Sequence, residues 1–313
     1  MAALLAGGAQ AATYVVQAKA LAFDQALSRK LEANGGQVLR RYPQIGVAIV
    51  EADDGFGGRA ARIPGIRSAV RDIALHFGIP EAVTLGFDEA AANPPDSGDN
   101  DALYNLQWGN DAIDAVEAWN RGFRGTGATV AILDWGLDCD YPDMVPNNIA
   151  ALYASFVAGE PVCTLPTGFN HGTHVAGTVA AADNAFGTIG VAPDADCFAV
   201  NVLSAFTGSG SFDSILSGIV YAADAGADVI NMSLGVRGGL PLNQDTNALV
   251  HAVTWAVHYA GGQNTTDLVF STSNNGWSRT GGTSPAAPHV AGVAALLIGA
   301  AGGEMSPAQL RTS

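Results

Sequence analysis

Apolar residues along this chain follow two different rhythms, and the change between them divides it. Near the N-terminus TYVVQAKA (13–20) and IGVAIVEA (45–52) read as strands. Between them AFDQALSRKLEANG (22–35) reads as an amphipathic helix closed by Gly35. Residues 13–75 therefore predict a small α+β unit. The rhythm fades over residues 76–102, where AAANPPDSGDND gathers turn formers and reads as an exposed linker. From Asp101 onward, short apolar runs alternate with longer helical ones. GATVAILDW (127–135), CFAVNVL (197–203) and ADVINMSLG (227–235) are predicted strands. HGTHVAGTVAAA (171–182), SFDSILSGIVYAADAG (211–226) and DTNALVHAVTWAVHYA (245–260) are predicted helices. Such alternation predicts an α/β fold, a doubly wound parallel sheet with helices on both faces.

Charge sharpens the division. Residues 1–75 carry nine Lys/Arg against six Asp/Glu, whereas the remainder has five arginines, no lysine and 23 acidic residues. A basic front and an acidic body read as two units that attract each other. So acidic a body argues against nucleic acid as a partner. The longest apolar run, Val290 to Ala301, is too short to cross a bilayer, so no membrane partner is expected. The opening MAALLAGGAQAA looks like the tail of a secretory signal, with a short apolar stretch and the pattern Ala9-Gln10-Ala11, but no basic n-region. Export is the expectation. Cys139, Cys163 and Cys197 have no metal-type spacing; one disulfide with one free thiol fits the count, and small buried hydrophobes fit it better.

Sites in open parallel sheets form at the carboxyl ends of strands. Asp134 ends one such strand, although Asp is also an ordinary turn residue. His171 opens a helix. His171 and His174 could pair as zinc ligands, but HExxH is absent and no third ligand stands nearby; His174 reads instead as a packed histidine among Val and Ala. Ser284 stands at the mouth of an apolar helical run, where a serine also serves as a helix cap. A hydroxyl becomes a useful nucleophile when an imidazole takes its proton, and a carboxylate fixes that imidazole. Asp134, His171 and Ser284 supply these three groups in the order Asp, His, Ser, and no GxSxG elbow offers a rival nucleophile.

The blocks around these residues, AILDWGLDCDYPDM, NHGTHVAGTVAA and GTSPAAPHVAG, resemble the three signature blocks of the subtilisin-like serine peptidases, the subtilases. The resemblance runs from about Leu103 to the C-terminal residue, and residues 13–75 are similar to the family's inhibitory propeptide. It implies that Asp134 orients His171, that His171 acts as base and then acid, and that Ser284 attacks the carbonyl with a helix N-terminus nearby. It also implies substrate-binding edges at Gly208, Ser209 and Gly210 and at Ser233, Leu234 and Gly235; without the triad blocks both would read as Gly-rich turns. No cofactor is implied for the chemistry. A structural calcium ion is implied in the loop AAADNAFGTIG, held by Asp143, the Asn184 side chain and the carbonyls of Ala182, Phe186 and Thr188; a plain loop is the alternative.

This sequence also departs from the family pattern. Trp135 stands where the family has a small Thr or Ser, Tyr141 replaces a His, and Pro285 replaces a Met. The stretch LVFSTSNNGWSRT before the nucleophile block is short and reads in two registers. In one, Asn274 is the oxyanion-hole donor and a gap follows it; in the other the gap comes first and that donor is missing, and the second keeps the family spacing better. The implied domains are residues 1–12 as a signal remnant, 13–75 as an inhibitor-like propeptide, 76–102 as a linker, and 103–313 as a catalytic domain shortened internally and at its C-terminus. The implied protein is a secreted endopeptidase precursor acting on proteins or peptides, with its own propeptide as intramolecular inhibitor. The alternative is a catalytically impaired subtilase-like chain lacking part of the oxyanion and S1 region. A nucleotide-binding α/β domain is a third reading, opposed by the lack of any GxGxxG or P-loop after a strand.

Overall fold

The computed structural model of the protein describes residues 11–77, 83–84, 100–104, 107–165, 170–235, 240–241, 243–262, 266–269, 278–279, 283–303, 305–310 and 312. The chain forms two compact units: residues 1–74 with 211–216 and 240–259, and the remainder.

The first unit contains β1 (Ala12–Ala18), α1 (Gln25–Ala33), β2 (Gln37–Tyr42), β3 (Val47–Ala52), α2 (Phe56–Ala60) and β4 (Ile66–Arg71). The strands form an antiparallel sheet in the order β2-β3-β1-β4. Val16, Phe23, Leu31, Val50 and Phe56 fill its core. The Asp24 carboxylate caps α1 by accepting the Leu27 amide at 2.8 Å, which satisfies one of the free donors of the first turn. The predicted elements of this unit are present, and two strands were missed. Both β2, QVLRRY, and β4, IRSAVR, lie at the edges of the sheet, where arginines hide the apolar rhythm and also guard an open edge.

From Ala74 onward the chain forms β5 (Ala74–His76), β6 (Val83–Thr84), α3 (Trp108–Ala112), α4 (Ala115–Asn120), β7 (Thr129–Asp134), β8 (Ala154–Ser155), α5 (His171–Ala180), β9 (Asp196–Asn201), β10 (Ser209–Ser211), α6 (Phe212–Asp224), β11 (Val229–Met232), α7 (Gln244–Gly262), β12 (Thr266–Val269), β13 (Ser278–Arg279), α8 (Thr283–Ala300) and α9 (Pro307–Leu310). Among the described residues the centre of the second unit is a parallel sheet in the order β12-β11-β7-β9-β8. The period-2 geometry of β7 sends alternate side chains to opposite faces. Val130 and Ile132 pack with Val175 and Val179 of α5 and Ala291 and Ala295 of α8. On the opposite face, a Cβ at Gly218 of α6 would meet Val202 at 2.5 Å and Leu133 at 3.2 Å, so that glycine lets α6 lie close to the sheet. This is the doubly wound arrangement that the alternation predicts.

Two expectations need correction. Cys139 and Cys163 are joined in a disulfide, and only Cys197 is a buried free thiol. Their loops are already adjacent, since Leu137 N–H donates to the Val162 carbonyl at 2.9 Å. Residues 76–102 are also not wholly an exposed linker. The Phe77 amide donates to the Gly208 carbonyl at 3.0 Å, β6 pairs with β13, and Asp101 is fully buried. No helix among the described residues is long and apolar enough to cross a membrane.

Candidate active site

The sheet register sets out the site. Asp134 is the last residue of β7, opposite Asn201 at the end of β9, while Leu133 faces Met232 at the end of β11. The chain leaves β9 toward Gly208–Gly210 and leaves β11 into Ser233–Gly235, so the two proposed walls start on either side of Asp134. Residues 204–210 fold back on the end of β9: Leu203 bridges to Gly210, and Ser204 N–H donates to the Ser209 carbonyl at 2.7 Å. Glu160 anchors this turn, accepting the Ser204 hydroxyl and the Ala205 amide, each at 2.7 Å. Ser233 and Leu234 are buried and Gly235 is exposed; the Ser233 hydroxyl accepts from the Asn231 amide at 2.8 Å.

His171 is the first residue of α5, whose N-cap Asn170 accepts the Thr173 amide at 2.9 Å. Its Nδ1 lies 2.7 Å from both oxygens of Asp134. A carboxylate oxygen accepts, so Nδ1 is the donor of this pair, and in a neutral ring Nε2 is then the acceptor. Both residues are sealed, at 3% and 1% exposure, so the pair is little screened by solvent. Two glycines bring the strand end and the helix start together. A Cβ on Gly172 would lie 1.9 Å from the Gly136 carbonyl oxygen, and Gly136 has φ +104 with the Val162 oxygen 2.3 Å from its would-be Cβ. Asp138 N–H completes the tie by donating to Thr173 Oγ1 at 2.7 Å.

His174, one helical turn further on, is partly covered, and its buried Nδ1 has no hydrogen-bond partner among the described residues. Burial, with His171 and His289 nearby, lowers its pKa to about 4, so the ring stays neutral. Ser284 is the second residue of α8, and α8 packs directly on α5. Its backbone alone is described. Asn274, the candidate oxyanion donor, lies outside the described residues.

The candidate cation loop follows α5. Asp143 is fully buried; its Oδ2 accepts the Thr188 amide at 3.0 Å and the Thr188 hydroxyl at 3.3 Å, the Asn184 side chain also favours its charged form, and Oδ1 has no close hydrogen-bond partner among the described residues. Burial pushes its pKa up to about 6. The Asn184 side-chain oxygen accepts the Phe186 amide at 3.0 Å. Asp101, which sequence reasoning assigned to the linker, brings a second buried carboxylate to this loop and accepts the amides of Ala185 and Phe186 at 3.2 and 3.1 Å. Its only signal in the sequence is a lone acid at the end of a turn-rich stretch. An orphaned carboxylate oxygen among amide and carboxylate oxygens suits a hard cation.

Residues 125–281 and 251–313 match the subtilase family, Peptidase S8. Residues 251–281 fall in both stretches and include LVFSTSNNGWSRT (268–280), the segment that reads in two registers. Alkaline elastase YaB of a Bacillus species is 35% identical over 260 residues, 70% of this chain and 67% of that protein. M-protease of Shouchella clausii is 37% identical over 234 residues, and the match spans 62% of this chain and 60% of that protein. Subtilisin Savinase of Lederbergia lenta is 36% identical over 62% of this chain and 84% of its own length. Among solved structures, fervidolysin from Fervidobacterium pennivorans, a keratinolytic enzyme related to subtilisin, has a TM-score of 0.71 at 22% identity. That likeness covers 99% of this chain and 57% of that one, and it speaks for the fold alone.

Proposed function

Because the chain belongs to the subtilase family, we propose that it is a secreted serine endopeptidase precursor that hydrolyses peptide bonds through Asp134, His171 and Ser284. The observation that carries the reading is the Asp134–His171 pair, buried and bonded at 2.7 Å at the carboxyl end of β7. Ser284 Oγ attacks the substrate carbonyl as His171 Nε2 takes its proton. The imidazolium is stabilised by Asp134 through Nδ1–H and then protonates the leaving amine. Water repeats the sequence on the acyl-enzyme. The substrate backbone lies along Gly208–Gly210, opposite Ser233–Gly235, and Asn274 is the proposed oxyanion donor.

The N-terminal unit acts in this reading as propeptide and intramolecular inhibitor. Support comes from residues 75–77, which run along the same edge: Phe77 donates to the Gly208 carbonyl at 3.0 Å, and His76 Nδ1 stands 3.0 Å from Ser209 Oγ. An added strand of this kind is how an extended peptide binds a sheet edge. The first bond cut therefore falls shortly after Phe77. Intact-mass analysis of freshly folded protein tests this. Wild type is expected to yield a chain beginning after residue 77 while Ser284→Ala stays full length; identical processing of both refutes self-cleavage by Ser284. Asp143 and Asn184, joined by Asp101 and the carbonyls of Ala182, Phe186 and Thr188, would hold a calcium ion that supplies structural charge compensation and no chemical step.

A further inference from the structure

Trp135 occupies the position immediately after Asp134, and it touches both members of the buried pair. Its backbone amide donates to Asp134 Oδ1 at 2.9 Å. Its indole centroid lies 5.0 Å from that of His171, with the rings inclined at 60° in a tilted contact. The indole is 3% exposed, as is His171. The chain beyond it is fixed by the Leu137–Val162 hydrogen bond at 2.9 Å, the Asp138–Thr173 hydrogen bond at 2.7 Å and the Cys139–Cys163 disulfide. The indole is therefore held against the imidazole on a backbone pinned beyond it.

We propose that Trp135 is a positioning residue that acts through His171: its indole fixes the plane of the imidazole and favours the imidazolium. The argument rests on the serine-peptidase reading, in which His171 becomes cationic during each proton transfer. An indole face attracts a cation within about 6 Å of its centroid, and more strongly in a desolvated site. Neutral imidazole gains far less, so the contact strengthens when charge appears, the kind of interaction that accelerates a reaction. The other titratable groups near this ring are Asp134 on β7, which accepts from its Nδ1, and His174 on the same helix, whose ring stays neutral, with His289 of α8 near His174.

Two measurements test the proposal. In the first, kcat/KM is followed against pH for wild type, Trp135→Phe and Trp135→Ser. The Ser variant is expected to lose about tenfold in kcat, and its acid limb to move about half a unit to one unit toward lower pH. The Phe variant, which keeps a ring, should recover much of both. An unmoved limb in the Ser variant, or a limb moved toward higher pH as an indole edge on the imidazole face would give, overturns the proposal. The second measurement does not depend on catalysis. A protonated imidazole quenches an adjacent indole, so in Ser284→Ala the emission lost on adding Trp135→Phe should itself fall on acidification, and should cease to do so when His171→Gln is present. Quenching without any peptidase activity in the wild type would uphold the Trp135–His171 contact while refuting the function it rests on. Emission of Trp135 that ignores His171→Gln overturns the contact.

Discussion

Asp134 and Asp143 are both sealed carboxylates on the path out of β7, at 1% and 0% exposure, yet they are equipped very differently. Asp134 meets the ring nitrogen of His171 with both oxygens and takes the amide of Trp135 as well. Asp143 has one oxygen served by Thr188 and the other without a close partner among the described residues, and burial pushes its pKa up to about 6. The first carboxylate is completed by groups of this chain. The second is a buried carboxylate with few partners among the described residues, a setting that a cation would complete, since burying an undercompensated carboxylate is costly. In the proposed function, that difference separates the carboxylate assigned to proton transfer from the one assigned to a structural ion.

The largest effect should follow from breaking the first arrangement. Asp134→Asn keeps the shape but offers an amide where Nδ1–H needs an acceptor, which favours the wrong imidazole tautomer. We expect kcat to fall about 10⁴-fold with KM little changed, as measured by steady-state hydrolysis of a peptide anilide. The Cys139–Cys163 disulfide starts between the two carboxylates, at Cys139, and closes a loop that contains Asp143, β8 and Glu160. A double Cys139→Ser, Cys163→Ser variant should lose about 3 kcal/mol of stability by denaturant titration, with the free-thiol count confirming the change.

Calcium removal probes the second carboxylate. The folded-state pKa of Asp143 stands above its usual value, so the cation-free protein binds that proton more tightly than the unfolded chain, and its stability falls as pH rises from about 4 through 6. A cation needs the ionised form. Calcium should therefore stabilise the fold little at pH 5 and fully above pH 7, by about 3 kcal/mol at a hundredfold excess over Kd, read as a rise in Tm by calorimetry against a chelator. An equal shift at both pH values would separate Asp143 from the ion. The smallest effect is expected at the rim. Glu160→Gln exchanges two charge-assisted hydrogen bonds to residues 204–205 for neutral ones, and should raise KM about tenfold with kcat nearly unchanged.

What the sequence made legible follows from how local each signal was. The α/β alternation and the positions of Asp134 and His171 could be read because strand, helix start and motif coincide within a few residues. Strands β2 and β4 were hidden because edge arginines break the apolar count. The disulfide was not legible because proximity of Cys139 and Cys163 comes from the pairing of 137 with 162, a tertiary contact. Asp101 was passed over because its amide partners lie far along the chain, on a loop whose shape the sequence does not display. Trp135 stands out in the sequence as a departure from the family pattern, but its contact with His171 appears only when the helix start is laid over the strand end.

The central claim is that Asp134 and His171 activate Ser284, and active-site labelling tests it most directly. Wild-type protein treated with a fluorophosphonate probe and digested for mass spectrometry should carry the adduct on Ser284, with labelling reduced at least a hundredfold in His171→Ala and in Asp134→Asn. An adduct on another residue, no adduct on folded wild type, or labelling of Ser284 indifferent to His171 would contradict the account.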